Sequence, residues 1–74
     1  MVKRSFFKWN INELLSLQRE FDLLELSIQD IAKLHQRSER SILCRLEKEG
    51  LIQSWENAKG YDVYVKKNPE LFLL

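Results

Sequence analysis

Basic and hydroxyl side chains are concentrated in residues 31–48, where their types suit the binding of a polyanion. This stretch carries five Lys and Arg residues against two Glu residues, a net charge of +3. Arg40 offers paired donors that fit guanine or a phosphate, and Lys48 offers a single charge for a phosphate. Serine hydroxyls and free amides at the start of a helix also favour phosphate. We therefore predict DNA-binding residues at Lys33, Arg37, Ser38, Arg40, Ser41, Cys44 and Lys48.

Further basic residues lie outside this stretch. Residues 1–8 include Lys3 and Arg4, and we predict a basic arm that lies along the DNA backbone or in the minor groove. The alternative for this arm is a solvated chain terminus. Lys59 is predicted at the tip of a β-hairpin wing and is a further candidate for contacting phosphate. Residues 9–30 are acidic and the whole chain carries only +1, so we expect one basic and one acidic face.

The residue types that carry out catalysis or bind metals are scarce. Cys44 is the single cysteine and His35 the single histidine, so an internal disulfide is excluded and a zinc site is not expected. We interpret His35 as a capping or edge-of-core residue rather than a ligand or base, and Cys44 as an inert thiol rather than a redox sensor. The sequence has no glycine-rich phosphate loop and no nucleophile with an adjacent base. We therefore expect no enzyme activity, no cofactor, no metal and no small-molecule substrate.

Capping residues predict three helices that would position the basic side chains. Each helix follows a residue whose side chain can accept a hydrogen bond from a first-turn amide, namely Asn10, Ser27 and Ser38. Gly50 is suited to ending the third helix. We place the helices at about 11–24, 28–35 and 39–49. Only Gln36 and Arg37 separate the second helix from the cap of the third, which is the short connection of a helix-turn-helix.

The residues after Gly50 alternate in a way that is typical of β-strands. Two strands are predicted, at about 51–56 and 61–67, and a turn joins them. We expect the aromatic residues here to pack this hairpin on the helices rather than to stack on bases; they are Trp55, Tyr61 and Tyr64. The predicted fold is mainly α, a three-helix helix-turn-helix bundle followed by a short β-hairpin wing. Its predicted parts are a basic N-terminal arm at 1–8, the helix-turn-helix domain with its wing at 9–67 and an apolar C-terminal tail at 68–74.

The third helix is expected to turn one face to the core and the opposite face to DNA. When its apolar residues face the core, helical geometry turns three side chains outwards: Arg40, Cys44 and Lys48. Leu43 and Glu47 are then expected to flank this outward face, and together with Cys44 they suit a protein partner as well as DNA. This is the main objection to a DNA-binding surface. Arg45 is predicted to pair with an acid of the first helix, Glu13 or Glu20.

The order of these residues resembles the three-helix DNA-binding repeat of Myb/SANT-like proteins. The resemblance covers about residues 9–52 and is carried by Trp9, Glu13-Leu14, Leu17, Ser27-Ile28, Ile31-Ala32, Arg37-Ser38, Ser41-Ile42, Arg45-Leu46 and Gly50-Leu51-Ile52. The later tryptophans of eukaryotic Myb repeats are absent, and Trp55 follows the third helix. The segment from Arg45 to Ile52 is also similar to winged-helix transcription regulators. Both resemblances imply a third helix in the major groove, in small proteins of the kind found in bacteria, phages and large DNA viruses.

These observations predict a DNA-binding helix-turn-helix protein that acts as a transcriptional regulator or genome-associated factor. The alternative is a protein–protein interaction module with a SANT-like fold that does not bind DNA, which the near-neutral net charge and acidic first helix favour. The expected partners are double-stranded DNA and a second copy of the chain. The apolar residues that would hold the homodimer, or alternatively fold back on the core of their own chain, are Leu71, Phe72, Leu73 and Leu74. No apolar run is long enough to cross a membrane, and we expect an intracellular location.

Overall fold

The computed structural model describes residues 8–69, and every regular element among them is helical. The α-helices are α1 (Ile11–Gln18), α2 (Ile28–His35), α3 (Glu39–Lys48) and α4 (Tyr61–Lys67). A π-helical turn, Arg19–Leu23, extends α1, and a 3₁₀ turn, Trp55–Asn57, precedes α4. Several predicted functional residues lie outside the described range: Lys3, Arg4, Leu71, Phe72, Leu73 and Leu74.

Short polar side chains begin the first three helices, as the capping pattern predicts. The side chain of Asn10 accepts a hydrogen bond from Glu13 N at 2.8 Å, that of Ser27 from Asp30 N at 3.2 Å and that of Ser38 from Ser41 N at 3.1 Å. Each bond satisfies an amide that has no partner within the first turn of its helix. The predicted starts of α1, α2 and α3 are therefore confirmed.

The end of α1 departs from the continuous helix predicted to residue 24. From Arg19 the chain widens into the π turn, which ends at Leu23. The extra residue in this turn rotates the following side chains away from the apolar stripe. Leu17, before the turn, is fully buried, whereas Leu24, predicted to continue the stripe, is 53% exposed. Glu25 then adopts a left-handed conformation at φ 53° and leads the chain towards α2.

The β-hairpin wing predicted at 51–56 and 61–67 is wrong. Residues 8–69 contain no strand: the first segment is irregular and enters the 3₁₀ turn, and the second forms α4. Two short strands with no third strand beside them are only marginally stable in water. As a helix, the second segment buries Tyr64 in the core and leaves Val63 exposed. Packing against the core therefore outweighs the β propensity and the period-two alternation of these residues.

Gly60 begins α4 and lies against α2. Its backbone has φ 96°, a conformation that favours glycine, and a Cβ at this position would collide with the side-chain amide of Gln29. Gln29 Nε2 donates to Gly60 O at 2.9 Å, and Ile28 N donates to Lys59 O at 2.9 Å. These hydrogen bonds fix the start of α4 on the start of α2.

The core draws side chains from every helix. Its fully buried members are Leu17, Ile28, Ile31, Ile42, Leu43 and Leu46. Ile52, Ala58 and Tyr64 extend the same core into the C-terminal part of the chain. The prediction that Leu43 flanks the outer face of α3 is therefore wrong. Leu43 is buried because the C-terminal segment extends the hydrophobic core to this side of α3. Burial of each such aliphatic side chain is worth roughly 1.5–3 kcal/mol.

The connection between α2 and α3 consists of residues 36–38. Gln36 has a left-handed conformation at φ 54°, and Arg37 N donates to Ala32 O at 3.0 Å, which closes the end of α2. Ser38 follows directly as the cap of α3. This connection has the length of a helix-turn-helix turn, and it fixes where α3 starts relative to α2.

Candidate nucleic-acid interface

One face of α3 points away from the core, and we call it the outer face; it is formed by Arg40, Ser41, Cys44 and Lys48. Arg40, Cys44 and Lys48 are exposed and Ser41 is half-buried. Their spacing of three and four residues places them along one side of the helix. Arg40 and Lys48 are about 12 Å apart along the helix axis. The outer face therefore has a long cationic side chain at each end and two small side chains between them.

The acidic residues of α3 and its C-cap are held by groups of the protein itself. Glu39 accepts a hydrogen bond from Gln29 Nε2 at 2.8 Å and forms an ion pair with Lys67. Glu49 forms an ion pair with Arg45 at 3.2 Å.

Glu47 also forms a hydrogen bond within the protein. This weakens the objection that Leu43 and Glu47 make the outer face unsuitable for binding DNA. The Glu47 carboxylate accepts a hydrogen bond from Trp55 Nε1 at 3.0 Å, and Leu43 is buried in the core. By contrast, neither Arg40 nor Lys48 forms an ion pair with an acid among residues 8–69. Because an indole N–H is neutral, Glu47 keeps its negative charge, so the charges of α3 without an ion pair are those of Arg40, Lys48 and Glu47, a net +1.

Arg37 lies inside the protein, so the predicted contact between Arg37 and a phosphate is corrected. Its side chain is inaccessible to solvent and its guanidinium lies 4.1 Å from the ring centroid of Trp9. Arg37 Nε and Nη2 donate to the two carboxylate oxygens of Glu13, each at 2.8 Å. A bidentate pair of this kind satisfies both groups and leaves the guanidinium unavailable to DNA.

His35 joins the same buried cluster and bridges two carboxylates of the first helical segment. Its Nδ1 lies 2.9 Å from Glu13 Oε2 and its Nε2 lies 2.7 Å from Glu20 Oε1. Because carboxylates only accept, two hydrogen bonds require either a doubly protonated ring or a neutral ring and one protonated carboxyl. All four residues of this cluster, Glu13, Glu20, His35 and Arg37, are buried. We call it the charge cluster.

The charge cluster was not predicted as a unit, although part of its signal is visible in the sequence. Glu13 and Glu20 are seven residues apart, so they lie on one side of a helix. The prediction assigned Arg45 to one of these acids, and it is wrong: Arg45 pairs with Glu49 and lies 5.5 Å from the ring centroid of Trp9. Arg37 takes the place predicted for Arg45.

Three aromatic side chains pack beside α3 in the C-terminal segment. The ring centroids of Trp55 and Tyr64 are 6.1 Å apart with a T-shaped arrangement, and those of Tyr61 and Tyr64 are 6.2 Å apart. Burial raises the pKa of Tyr64 above its ordinary value, and the nearby guanidinium of Arg40 opposes this shift. These aromatic residues join the C-terminal segment to the helices, but through a 3₁₀ turn and a helix rather than through a hairpin.

The remaining predicted site residues lie on different elements and do not form one surface with the outer face. Lys33 is exposed on α2. Ser38 uses its hydroxyl oxygen to cap α3. Lys59 lies in the turn before α4, not at the tip of a wing, and its Nζ donates to Glu25 O at 2.9 Å. Among the predicted site residues that fall within 8–69, only Arg40, Ser41, Cys44 and Lys48 lie together on one face.

Residues 8–69 contain no group of three or more His, Cys, Asp and Glu side chains placed to hold a metal ion. No helix in this part of the chain has the length and apolar character needed to cross a bilayer. Comparison of the chain with protein-family models, curated proteins and solved structures finds no match. The resemblance to Myb/SANT-like and winged-helix proteins therefore remains an expectation from the sequence.

Proposed function

We propose that the protein binds double-stranded DNA through α2, the α2–α3 connection and α3, with the outer face of α3 in the major groove. The observation that supports this most directly is the charge pattern of α3. Glu39 is ion-paired with Lys67, and Glu47 only accepts a hydrogen bond from Trp55. Arg40 and Lys48 form no ion pair in the described part of the chain, so α3 keeps a net charge of +1 without ion partners. Uncompensated positive charge attracts the DNA backbone, and the major groove admits an α-helix.

The residues of the outer face have different roles in this proposal. The start of a recognition helix approaches the bases, so Arg40, Ser41 and Cys44 face base edges. Lys48, at the end of α3, contacts a phosphate. Lys33, exposed on α2, contacts a second phosphate and helps to set the orientation of the domain on the duplex.

A transcriptional regulator or genome-associated factor is the role we propose for such a domain, and this role implies an intracellular location. The resemblance of residues 9–52 to Myb/SANT-like repeats supports it. The buried Arg37 contributes indirectly, because its pair with Glu13 holds the connection from which α3 starts. The proposed interface therefore excludes the side chain of Arg37 and rests on the half-buried Ser41 and on exposed residues.

Fluorescence anisotropy of a labelled duplex of random sequence, titrated at several salt concentrations, tests the proposal. We expect saturable binding at low salt, with log affinity falling linearly as log salt rises. Lys48→Ala should weaken binding and lower the salt slope by about 0.9 because one phosphate contact is lost. Arg40→Ala should also weaken binding. Arg19→Ala is the matched control, since it removes an exposed charge from the π turn and should leave affinity nearly unchanged.

Two results would contradict the proposal. A flat titration at low salt would show that the chain does not bind duplex DNA. Saturable binding that survives combined loss of Arg40 and Lys48 would show that another surface carries it. Circular dichroism of each variant establishes that the fold is retained, which is expected because both side chains are exposed.

A protein-interaction module is the second candidate, and exposed apolar side chains favour it. Ile11 and Leu15 on α1, Leu23 in the π turn and Leu34 on α2 are each more than 60% exposed. Ile11 and Leu15 are four residues apart and therefore adjacent on α1, and a contiguous exposed apolar patch suits a protein partner. A flat DNA titration together with nuclease-resistant binding of one defined protein would support this candidate over the first.

Self-association is a further part of the proposal. The apolar tail proposed to hold two copies together lies outside the described residues. The exposed apolar residues of α1 favour a further contact between the two copies. A two-fold dimer also matches a palindromic DNA site. Sedimentation at concentrations on the order of tens of micromolar should show a dimer, and a monomer there would contradict this part.

A further inference from the structure

Arg40 occupies the place on α3 from which a base is most easily reached. It is the second residue of α3, and the next residues on the outer face, Ser41 and Cys44, are small. Small side chains allow the backbone of the first turns to come close to an opposing surface, and Arg40, whose guanidinium lies near Tyr64, is the long side chain of the outer face in this part of α3. Arg40 is exposed and has no acidic partner among residues 8–69.

We propose, resting on the DNA-binding function above, that Arg40 determines sequence preference by reading a guanine in the major groove. The guanidinium presents two parallel N–H donors in a fixed fork. Guanine presents two acceptors, O6 and N7, on its major-groove edge, whereas adenine presents one acceptor and one donor there. Cytosine presents a donor, and thymine presents one acceptor and a methyl group. Only guanine matches both donors of Arg40.

The other cations of this surface are placed for phosphate rather than for a base. Lys48 lies about 12 Å further along α3, whereas the major groove is about 8.5 Å deep. When the start of α3 is directed into the groove with Arg40 at its floor, Lys48 lies near the phosphates at its rim. Lys33 belongs to α2 and is outside the outer face.

Selection from a library of duplexes with a randomised centre, carried out with three forms of the full chain, tests the proposal. The forms are the wild type, Arg40→Gln and Lys48→Gln. The two variants lose the same charge, so they are matched controls for each other. We expect the wild type to select sites with at least one fixed guanine. Lys48→Gln should select the same guanine with weaker binding overall, because it loses only a phosphate contact. Arg40→Gln should lose that guanine or exchange it for adenine, which glutamine recognises.

Replacement of the fixed guanine by 7-deazaguanine then tests the atom involved. This base keeps O6 and its pairing with cytosine but lacks the N7 acceptor. The wild type should bind the substituted duplex about tenfold more weakly, whereas Arg40→Gln should bind both duplexes alike.

The outcomes separate this proposal from the function on which it rests. Selection of a site without a fixed guanine, survival of the guanine in Arg40→Gln, or indifference of the wild type to 7-deazaguanine would overturn the reading role of Arg40 while leaving DNA binding intact. Failure of the wild type to bind any duplex at low salt would overturn both.

Discussion

Glu13 and Arg37 join α1 to the connection from which α3 starts. The two residues form a buried bidentate pair, and His35 extends it to Glu20. Loss of one member of such a pair leaves the other charged and buried without compensation. At the residue scale, the position of the outer face therefore depends on residues that do not belong to it.

Replacement of Arg37 by Met should destabilise the fold strongly. Methionine retains much of the side-chain volume but leaves the Glu13 carboxylate buried without the guanidinium, so we expect a loss of about 3–5 kcal/mol in the free energy of unfolding. Urea denaturation measures this loss. Lys67→Met is the control, because its ion pair with Glu39 is more exposed and should be worth about 1 kcal/mol or less. Equal losses in the two variants would contradict the structural role of the charge cluster.

Tyr64 should make stability depend on pH in the alkaline range. Burial raises its pKa in the folded state, so the folded protein retains the phenolic proton at a pH where the unfolded chain has lost it. The stabilisation is complete below the unfolded pKa of about 10 and is lost as pH rises through the higher folded value. Tyr64→Phe should remove this component from urea denaturation measured at increasing alkaline pH. An identical alkaline decline in both proteins would contradict the prediction, and neutral pH provides the reference.

The outward direction of Arg40, Cys44 and Lys48 was predictable because it follows from helical spacing alone. The partner of Arg37 was not, because Glu13 is 24 residues away. That pairing depends on how α1 packs against the α2–α3 connection, and no local pattern records this. Because the sequence does not record how α1 packs against this connection, Arg45 was assigned to an acid of the first helix.

The helix starts were predictable at the element scale because capping is local: a side chain bonds an amide three residues later. The C-terminal segment was not predictable in this way. Its tyrosines and valines favour a strand intrinsically, but Tyr64 gains more by packing on the core as part of α4. The π turn was missed for a similar reason, since no capping or spacing signal distinguishes it from a regular helix.

Glycine replacements should show how α4 is held on α2. Both Gly50 and Gly60 have a positive φ, so each Gly→Ala change should cost about 1–2 kcal/mol through backbone strain. Gly60→Ala should cost more than Gly50→Ala, because its Cβ meets Gln29 whereas the Cβ at residue 50 meets nothing. Urea denaturation of both variants provides the comparison. Equal losses would contradict the close contact between Gly60 and α2.

Val63 discriminates a helix from a strand by the sign of one measurement. Val63 is exposed on α4, where alanine is intrinsically preferred. Val63→Ala should therefore raise the free energy of unfolding by up to about 0.5 kcal/mol. In a strand the same change should lower stability, because alanine is disfavoured there. Thermal denaturation with far-UV circular dichroism measures the sign, and destabilisation would contradict the helical assignment.

Within residues 8–69, the cations of the outer face and the exposed apolar residues of the first helical segment lie on different helices. The outer face of α3 carries Arg40 and Lys48, while α1 and the turn after it expose Ile11, Leu15 and Leu23. A DNA-binding face and a protein-binding face are therefore compatible in one domain. Sequence charge predicted the positive net charge of residues 31–48, but only the packing shows which of these charges are free to meet a polyanion.

The lone thiol of Cys44 can report whether DNA binds the outer face of α3, which is the central claim. Cys44 is exposed and is the single cysteine, so the rate of its alkylation by iodoacetamide reports on this face alone. We predict that a duplex at a concentration that saturates the anisotropy signal slows alkylation several-fold and that added salt restores the original rate. An unchanged alkylation rate with saturating duplex would contradict the claim, because DNA would then occupy another surface.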